Sequence, residues 1–404
     1  HRLSQTLTSE RPLILSPTVP RRDRRTWVSY AQMGAYGFFV YALGASQILL
    51  REEQQTTRTI AGLHGSGWAL GIVIMSFASP RISARIGRGR AMRLGSILMI
   101  AGILGYTSGL PVMFTIASVV VAGCGGALMV AGLSAFLGEQ QGLAAPSSIS
   151  EANALGAVAG FLGAIGVGIG VSVTLGWRPA LWLLIMILIG VEIWRGAQAQ
   201  SYDLGEVAGI AGRWRDLTRL FWWSCLVMLP AAGIEYSLAL WSADLLREQG
   251  GLGDGAASAA LAVVVAGLVT GRVVGGRIAQ RMDPENLLIA AFALSGAAFL
   301  VVWATSNVPV MLTFLFLTGC GIGLHWPLAI ARAIRAVPHL ADLASAVGLL
   351  YAGLAIMTAP FALGALADSI GLRTAFLLVP LLALLGVVVV WRRPIRNRGV
   401  PTST

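Results

Sequence analysis

Twelve times along this chain an apolar run long enough to cross a lipid bilayer gives way to a short polar turn. A bilayer core about 30 Å thick takes roughly 20 residues as a helix. Lipid offers the backbone no hydrogen-bond partner, so each crossing must satisfy its own amides, which a helix does. The first six runs are Trp27–Leu50, Thr59–Ser79, Ala91–Ser108, Leu110–Leu137, Ser147–Leu175 and Pro179–Ala197. A polar stretch, Ser201–Arg219, intervenes. The second six are Leu220–Leu246, Ala256–Gln280, Asn286–Thr305, Val308–Val337, Leu343–Ile370 and Arg373–Trp391. The pattern predicts an all-α integral membrane protein of twelve transmembrane helices. The expected divisions are a tail (1–25), a six-helix bundle (26–197), a linker (198–218), a second bundle (219–391) and a tail (392–404).

Composition agrees with lipid as the solvent. Hydrophobic residues make up 56% and charged ones 12%, against about 25% charged in soluble domains. A net charge of +11 would suggest nucleic acid in a soluble protein. Here every basic residue is an arginine lying between apolar runs, so membrane topology explains the charge and no nucleic-acid partner is expected. With both termini placed in the cytoplasm, 24 of the 29 arginines fall inside. Outside remain Arg51, Arg58, Arg178, Arg247 and Arg373. That asymmetry follows the positive-inside rule and predicts an inner or plasma membrane protein with both ends cytoplasmic. The first apolar run follows Pro20–Arg25 and is too long for a cleavable signal peptide. Cys124, Cys225 and Cys320 lie within apolar runs at spacings that suit neither metal nor disulfide.

The chain also repeats itself at an offset of 196. Leu49-Leu50-Arg51-Glu52 recurs as Leu245-Leu246-Arg247-Glu248, each closing the first span of a set of six. The same offset carries Gly71 onto Gly267, and Arg81 and Arg85 onto Arg277 and Arg281. It also carries Gly123-Cys124-Gly125 onto Gly319-Cys320-Gly321. The two sets of six read as parallel repeats about an axis along the membrane normal. After the second span stands PRISARIGRGR (Pro80–Arg90), and after the eighth GGRIAQRMDPE (Gly275–Glu285).

Duplicated six-span halves with such a turn resemble the major facilitator superfamily, whose signature reads roughly G-x-L-A-D-R-x-G-R-K/R. Ile82, Arg85, Gly87, Arg88 and Arg90 match it; Pro80 and Ala84 depart from it. In the second half Gly276 and Arg281 match, and Gln280 takes the acidic position. The resemblance covers nearly the whole chain and implies alternating access to a central site between the halves. It further implies that the two arginine turns latch the cytoplasmic side. Arg85 or Arg88 would meet Asp342, and Arg277 or Arg281 would meet Glu151. The plainer alternative is that these arginines only hold loops at anionic headgroups. The stripes Gly267, Gly271, Gly275 and Gly156, Gly160 suit close helix packing; in the family spans five and eight lie between the halves, where smooth contacts would let them rock.

Glu235 is the sharpest single residue. It lies twelve positions before Arg247, hence about 18 Å down the helix and near the bilayer centre. A carboxyl there is costly and usually faces a cavity or a partner; it suits a proton carrier or a site for a cationic or hydroxyl-bearing solute, or else a structural hydrogen bond. The resemblance places the first span of each half and span ten around the cavity, adding Tyr36, Tyr41, Tyr236, Trp241, His325 and Trp326 as substrate or coupling candidates. His325 could equally be a packing residue, and Arg332 could snorkel to the surface. Pro230, Pro327 and Pro360 should bend spans seven, ten and eleven. Span four carries no charge between Pro111 and Gly138, where anion-moving members often place arginine, so a neutral or cationic solute is expected. Span five lacks the Gly-Pro pair of proton-drug antiporters.

The expected function is a secondary active transporter, a proton-coupled symporter of a small organic solute such as a sugar-like metabolite. The alternatives are an efflux transporter for hydrophobic drugs or lipids, and a non-transporting membrane sensor with the same fold. Its expected partners are the solute, protons and the lipid bilayer, with the chain a monomer. No paired catalytic residues, Walker sequence or zinc motif is present, so neither an enzyme nor any cofactor or metal is expected.

Overall fold

The computed structural model describes residues 20–196, 202, 214–279 and 281–394, and among these there is no strand. The outer parts of both tails, Gln280 and nearly all of the expected linker (198–218) lie outside the described residues. The first half runs α1 (Arg24–Glu53), α2 (Arg58–Ile86), α3 (Arg88–Tyr106), α4 (Val112–Gln141), α5 (Ala145–Ser172) and α6 (Arg178–Arg195). The second runs α7 (Arg219–Glu248), α8 (Asp254–Ile278), α9 (Pro284–Ala304), α10 (Val308–Ala336), α11 (Ala341–Ile370) and α12 (Leu372–Arg392). Ten of these are long and apolar enough to cross a membrane; α3 and α6, the remaining two, each carry three charged residues near their ends.

The helices start where the sequence supplies caps. Asp23, Thr57, Thr218, Asp283 and Asn307 each turn a side-chain oxygen onto an amide of the first turn of α1, α2, α7, α9 and α10. Such caps satisfy amides that the helix itself leaves open. Two helices break where proline demands it. Proline has no N–H for the carbonyl four residues back; α7 is interrupted at Val227, beside the Leu226 carbonyl that Pro230 leaves unbonded. Likewise α12 is interrupted at Phe376–Leu377, four residues before Pro380. Pro327 and Pro360 sit in helices that continue past them.

The 196-residue repeat is reproduced atom for atom in the packing. A Cβ on Gly71 would collide with the Val120 carbonyl, and one on Gly267 with the Phe316 carbonyl, the same pair shifted by 196. Gly123 abuts the Trp68 carbonyl as Gly319 abuts that of Val264. Gly125 abuts the Gly95 carbonyl as Gly321 abuts that of Ala291. Each half therefore crosses its second and fourth helices, and its third and fourth, backbone against backbone. Only glycine permits that approach.

The glycine stripes require a correction. Gly271 and Gly275 face Cys320 and Leu324 of α10, and Gly156 and Gly160 face Met33 and Tyr41 of α1. They close each half internally. The α5–α8 contact between halves uses Gly168 and Gly255, farther along both helices. The other main contact between halves is α2 with α11, the symmetric counterpart of α5 with α8. Helices α1 and α7 are the most enclosed, with 83% and 72% of their apolar stretches buried against 39–50% elsewhere. Exposed Phe77, Met113, Leu183, Ile193 and Leu381 present an apolar outer surface suited to lipid.

Candidate functional site

An even number of crossings brings Arg24 and Arg392 to one end of the bundle, the terminal end; the α1–α2 and α7–α8 turns lie at the far end. At the far end the halves are locked together by charge. Asp244 of α7 is almost fully buried and accepts from Arg51 Nη1 and Arg58 Nε, each at 2.8 Å. Arg58 also reaches Glu248, and Arg247 reaches both Glu52 and Asp254. Asp368 of α11 caps the start of α2 across the interface, accepting from the Arg58 amide at 3.1 Å and the Thr59 amide at 2.7 Å. A carboxylate at that helix N-terminus is favoured by the open amides and the helix dipole. One layer deeper, Ser258 donates to the Ala45 carbonyl at 2.9 Å and Ser66 to that of Met357 at 2.6 Å.

At the terminal end the ion pairs seen among the described residues lie within one half. Arg88 holds Glu139 at 2.6 Å and the Tyr202 carbonyl at 3.2 Å. Glu151 is taken by Arg22 at 2.7 Å and by the Tyr30 hydroxyl at 2.9 Å. The expected pairing of Arg277 or Arg281 with Glu151 is therefore absent in this conformation, and both arginines are exposed, as is Arg85. The backbone of Asp342 lies in α11; its side chain, and so its expected pairing, lies outside the described residues. Arg332 does not snorkel. It is fully buried, pairs with Glu285 at 2.8 Å and donates to Ser224 at 3.0 Å and to the Arg393 carbonyl. It binds the start of α9 to the ends of α10 and α12.

Between the latched far end and the terminal end lies a cavity of about 230 Å³. Helices from both halves line it. Met33, Tyr36 and Tyr41 come from α1, Asn153 from α5, Glu235 and Tyr236 from α7, Arg272 from α8, Trp326 from α10, and Leu349, Ala352, Gly353 and Ile356 from α11. Glu235 and Arg272 are its only charged lining residues among those described. Tyr41 donates to Glu235 Oε1 at 3.4 Å, a contact between the halves. Tyr36 also packs its ring against Trp68 at 5.4 Å.

Of the seven substrate or coupling candidates read from sequence, the fold gathers Tyr36, Tyr41, Glu235, Tyr236 and Trp326 around one space. Trp241 and His325 stand apart from it. Trp241 is buried and donates from Nε1 to the Pro360 carbonyl at 2.9 Å, tying α7 to α11. His325 is fully buried, stacked on Phe292 with centroids 4.1 Å apart, and its Nε2 meets Ser295 at 3.2 Å. It is a packing histidine turned away from the cavity towards α9. Span ten is amphipathic in this sense: Trp326 faces the cavity, and its neighbour faces the interior of the half.

Arg272 was missed. In the sequence it is one of the 24 arginines that fall inside, with Arg277 and Arg281 close behind it. The signal was its position six residues inside the end of α8, beside Gly271. The far-end network was missed as well, although the repeated Leu-Leu-Arg-Glu endings of α1 and α7 supply much of it.

Comparison with known proteins gives the same architecture. The family model described as Major Facilitator Superfamily matches residues 28–284 and 217–404. Among solved structures, a bacterial homolog to the human lysosomal transporter Spinster, inward-facing and unoccupied, matches with a TM-score of 0.73. It is 12% identical, over 93% of this chain and 98% of that one. The xylose transporter XylE from E. coli, in a partially occluded inward-open conformation, matches at 0.71 with 12% identity, over 93% and 98%. The E. coli fucose:proton symporter FucP matches at 0.62 with 15% identity, over 92% and 100%. No curated protein matches the chain by sequence. With twelve duplicated spans, a central cavity and a family match across both halves, this chain belongs to the major facilitator superfamily of membrane transporters.

Proposed function

We propose that the protein is a proton-coupled secondary transporter of a small organic solute, working by alternating access through the central cavity. The observation that carries this reading is Glu235. Its carboxyl group lines the cavity and accepts from Tyr41 of the opposite half. Protonation there changes both the charge offered to a solute and a contact between the moving bodies. A volume of about 230 Å³ holds roughly eight waters at about 30 Å³ each, the scale of a small metabolite.

The orientation rests on arginine. The terminal end carries most of the chain's arginines, which assigns it to the cytoplasm. On that assignment the conformation faces inward, sealed outside by Asp244, Arg51, Arg58, Glu52, Arg247 and Asp368. The reverse conformation would break this seal and close the terminal end, bringing Arg85, Arg88, Arg277 and Arg281 towards α11 and α5.

A thermal-shift screen on purified protein identifies the solute, and uptake into liposomes under a pH gradient tests the coupling. Glu235→Gln should keep solute exchange at equal pH but lose accumulation driven by the gradient. Undiminished gradient-driven accumulation in that variant would remove Glu235 from the coupling role.

A further inference from the structure

We propose that the transported solute carries a carboxylate, and that the Arg272 guanidinium is its anchor; this rests on reading the central cavity as the solute site. Among the described residues, charge on the cavity wall is confined to Arg272 and Glu235, and most of the remaining lining is apolar or aromatic. Arg272 Nε is buried and meets no hydrogen-bond acceptor among the described residues. Nor does any described carboxylate oxygen lie within the 4.0 Å of an ion pair from its guanidinium. Arg332 and Arg88, by contrast, have donors engaged by carboxylate and carbonyl oxygens, and Arg195, whose Nε is also unpartnered, lies at the end of α6 and still reaches Glu192 and the Gly89 carbonyl. An unengaged guanidinium deep in a membrane protein is costly. An anion entering the cavity supplies what it lacks, and the planar fork of arginine matches a carboxylate through two parallel hydrogen bonds.

Glu235 sets the stoichiometry. The titratable or charged groups facing it are Tyr36 and Tyr41 from α1, its neighbour Tyr236, and Arg272 from α8. With Glu235 ionised, the cavity wall carries one positive and one negative charge. A solute carboxylate added beside ionised Glu235 would leave two anions against one cation in a low-dielectric space. If a proton enters with the solute and rests on a Glu235 oxygen, the sum returns to zero. One carboxylate therefore travels with one proton, and the loaded carrier moves no net charge. The expectation of a neutral or cationic solute rested on the uncharged α4; the anchor lies on α8 instead. Tyr36, Tyr236 and Trp326 offer flat apolar surface to the rest of the molecule, which favours acids with an apolar or aromatic body over hydroxylated ones.

The test compares size-matched probes on purified protein. Butyrate, benzoate and phenylacetate are set against their amides and the corresponding amines, with thermal shift and Trp326-dependent fluorescence as readouts. Acids should bind more tightly as the assay pH is lowered, and amides and amines should bind poorly. Arg272→Gln should weaken acid binding about 30-fold or more, the loss typical when one member of a buried charge pair is removed. Arg272→Lys should fall between, keeping the charge without the fork. Glu235→Gln should flatten the pH dependence of acid binding. The proposal is overturned if amides or amines bind as well as the acids, or if Arg272→Gln binds acids like the parent protein. Should Arg272→Gln not fold, as judged by gel filtration, the Arg272→Lys variant and the acid–amide comparison decide. Counterflow in liposomes separates the two readings. Acids bound through Arg272 but never moved would end the transporter reading alone. Amides or amines carried equally well by parent and Arg272→Lys would end the carboxylate inference alone.

Discussion

The two ends of the bundle use similar residues to opposite effect. At the far end, arginines and carboxylates pair across the halves: Arg51 and Arg58 with Asp244, Arg247 with Glu52. At the terminal end they pair within a half: Arg88 with Glu139, Arg22 with Glu151, Arg332 with Glu285. The internal clasps are themselves related by the repeat with their charges exchanged. Arg88 at the start of α3 holds Glu139 late in α4, whereas Glu285 at the start of α9 holds Arg332 and Arg335 late in α10. The difference teaches that a salt bridge in this fold has two separable jobs. One inside a half sets how firmly that half is built; one between halves sets which conformation is populated.

Breaking the most buried cross-half node should give the largest effect. Asp244→Asn leaves Arg51 without its carboxylate and Arg58 with Glu248 alone, and losing one partner of a buried pair typically costs about 3–5 kcal/mol. Only the far-end-closed conformation makes these contacts, so that cost falls on it alone. Spin-label distances across the far end should lengthen, with the population of the closed form reduced by roughly 100-fold or more. Unchanged distances would refute the assignment of this node to conformational control.

Glu285→Gln sharpens the contrast. Arg332 is fully buried and would lose its carboxylate, so thermal stability should drop, by about 3 kcal/mol on the same reasoning. Far-end distances should not change, because the pair lies within one half. A variant that melted normally but shifted those distances would erase the distinction between the two kinds of bridge.

The smallest effect is expected at Glu52 and Arg247, which are 40% and 33% exposed. Exposed pairs contribute about 0.2–1 kcal/mol. Either Glu52→Arg or Arg247→Glu alone should loosen the far end slightly, and the doubly exchanged protein should recover. Failure of the exchange to recover would show that Asp254, which also holds Arg247 at 3.0 Å, governs that position.

Much of this was legible beforehand, and the reasons are particular. Lipid forces each crossing into a helix, so apolar length alone yields the spans. Gly71, Gly123 and Gly125 announce their crossings because no other residue tolerates a neighbouring carbonyl so near, and their echoes at 267, 319 and 321 announce the duplication. Glu235 stood out because a carboxyl deep in an apolar helix has few purposes. His325 and Trp241 were misleading: a polar ring in a span signals cost, but whether a cavity or a packed neighbour meets that cost depends on helix rotation.

The sequence by itself determined the crossings, the duplication and the deep carboxyl, since each follows from local chemistry: length against bilayer thickness, glycine against backbone, charge against lipid. Only the tertiary structure decided which charges meet. It put Arg272 on the cavity rather than in a turn, joined Asp244 to arginines nearly two hundred positions away, and gave Glu151 to Arg22 instead of the opposite half. Those pairings depend on how each helix is rotated and how the halves are tilted, and residue spacing along one chain carries neither quantity.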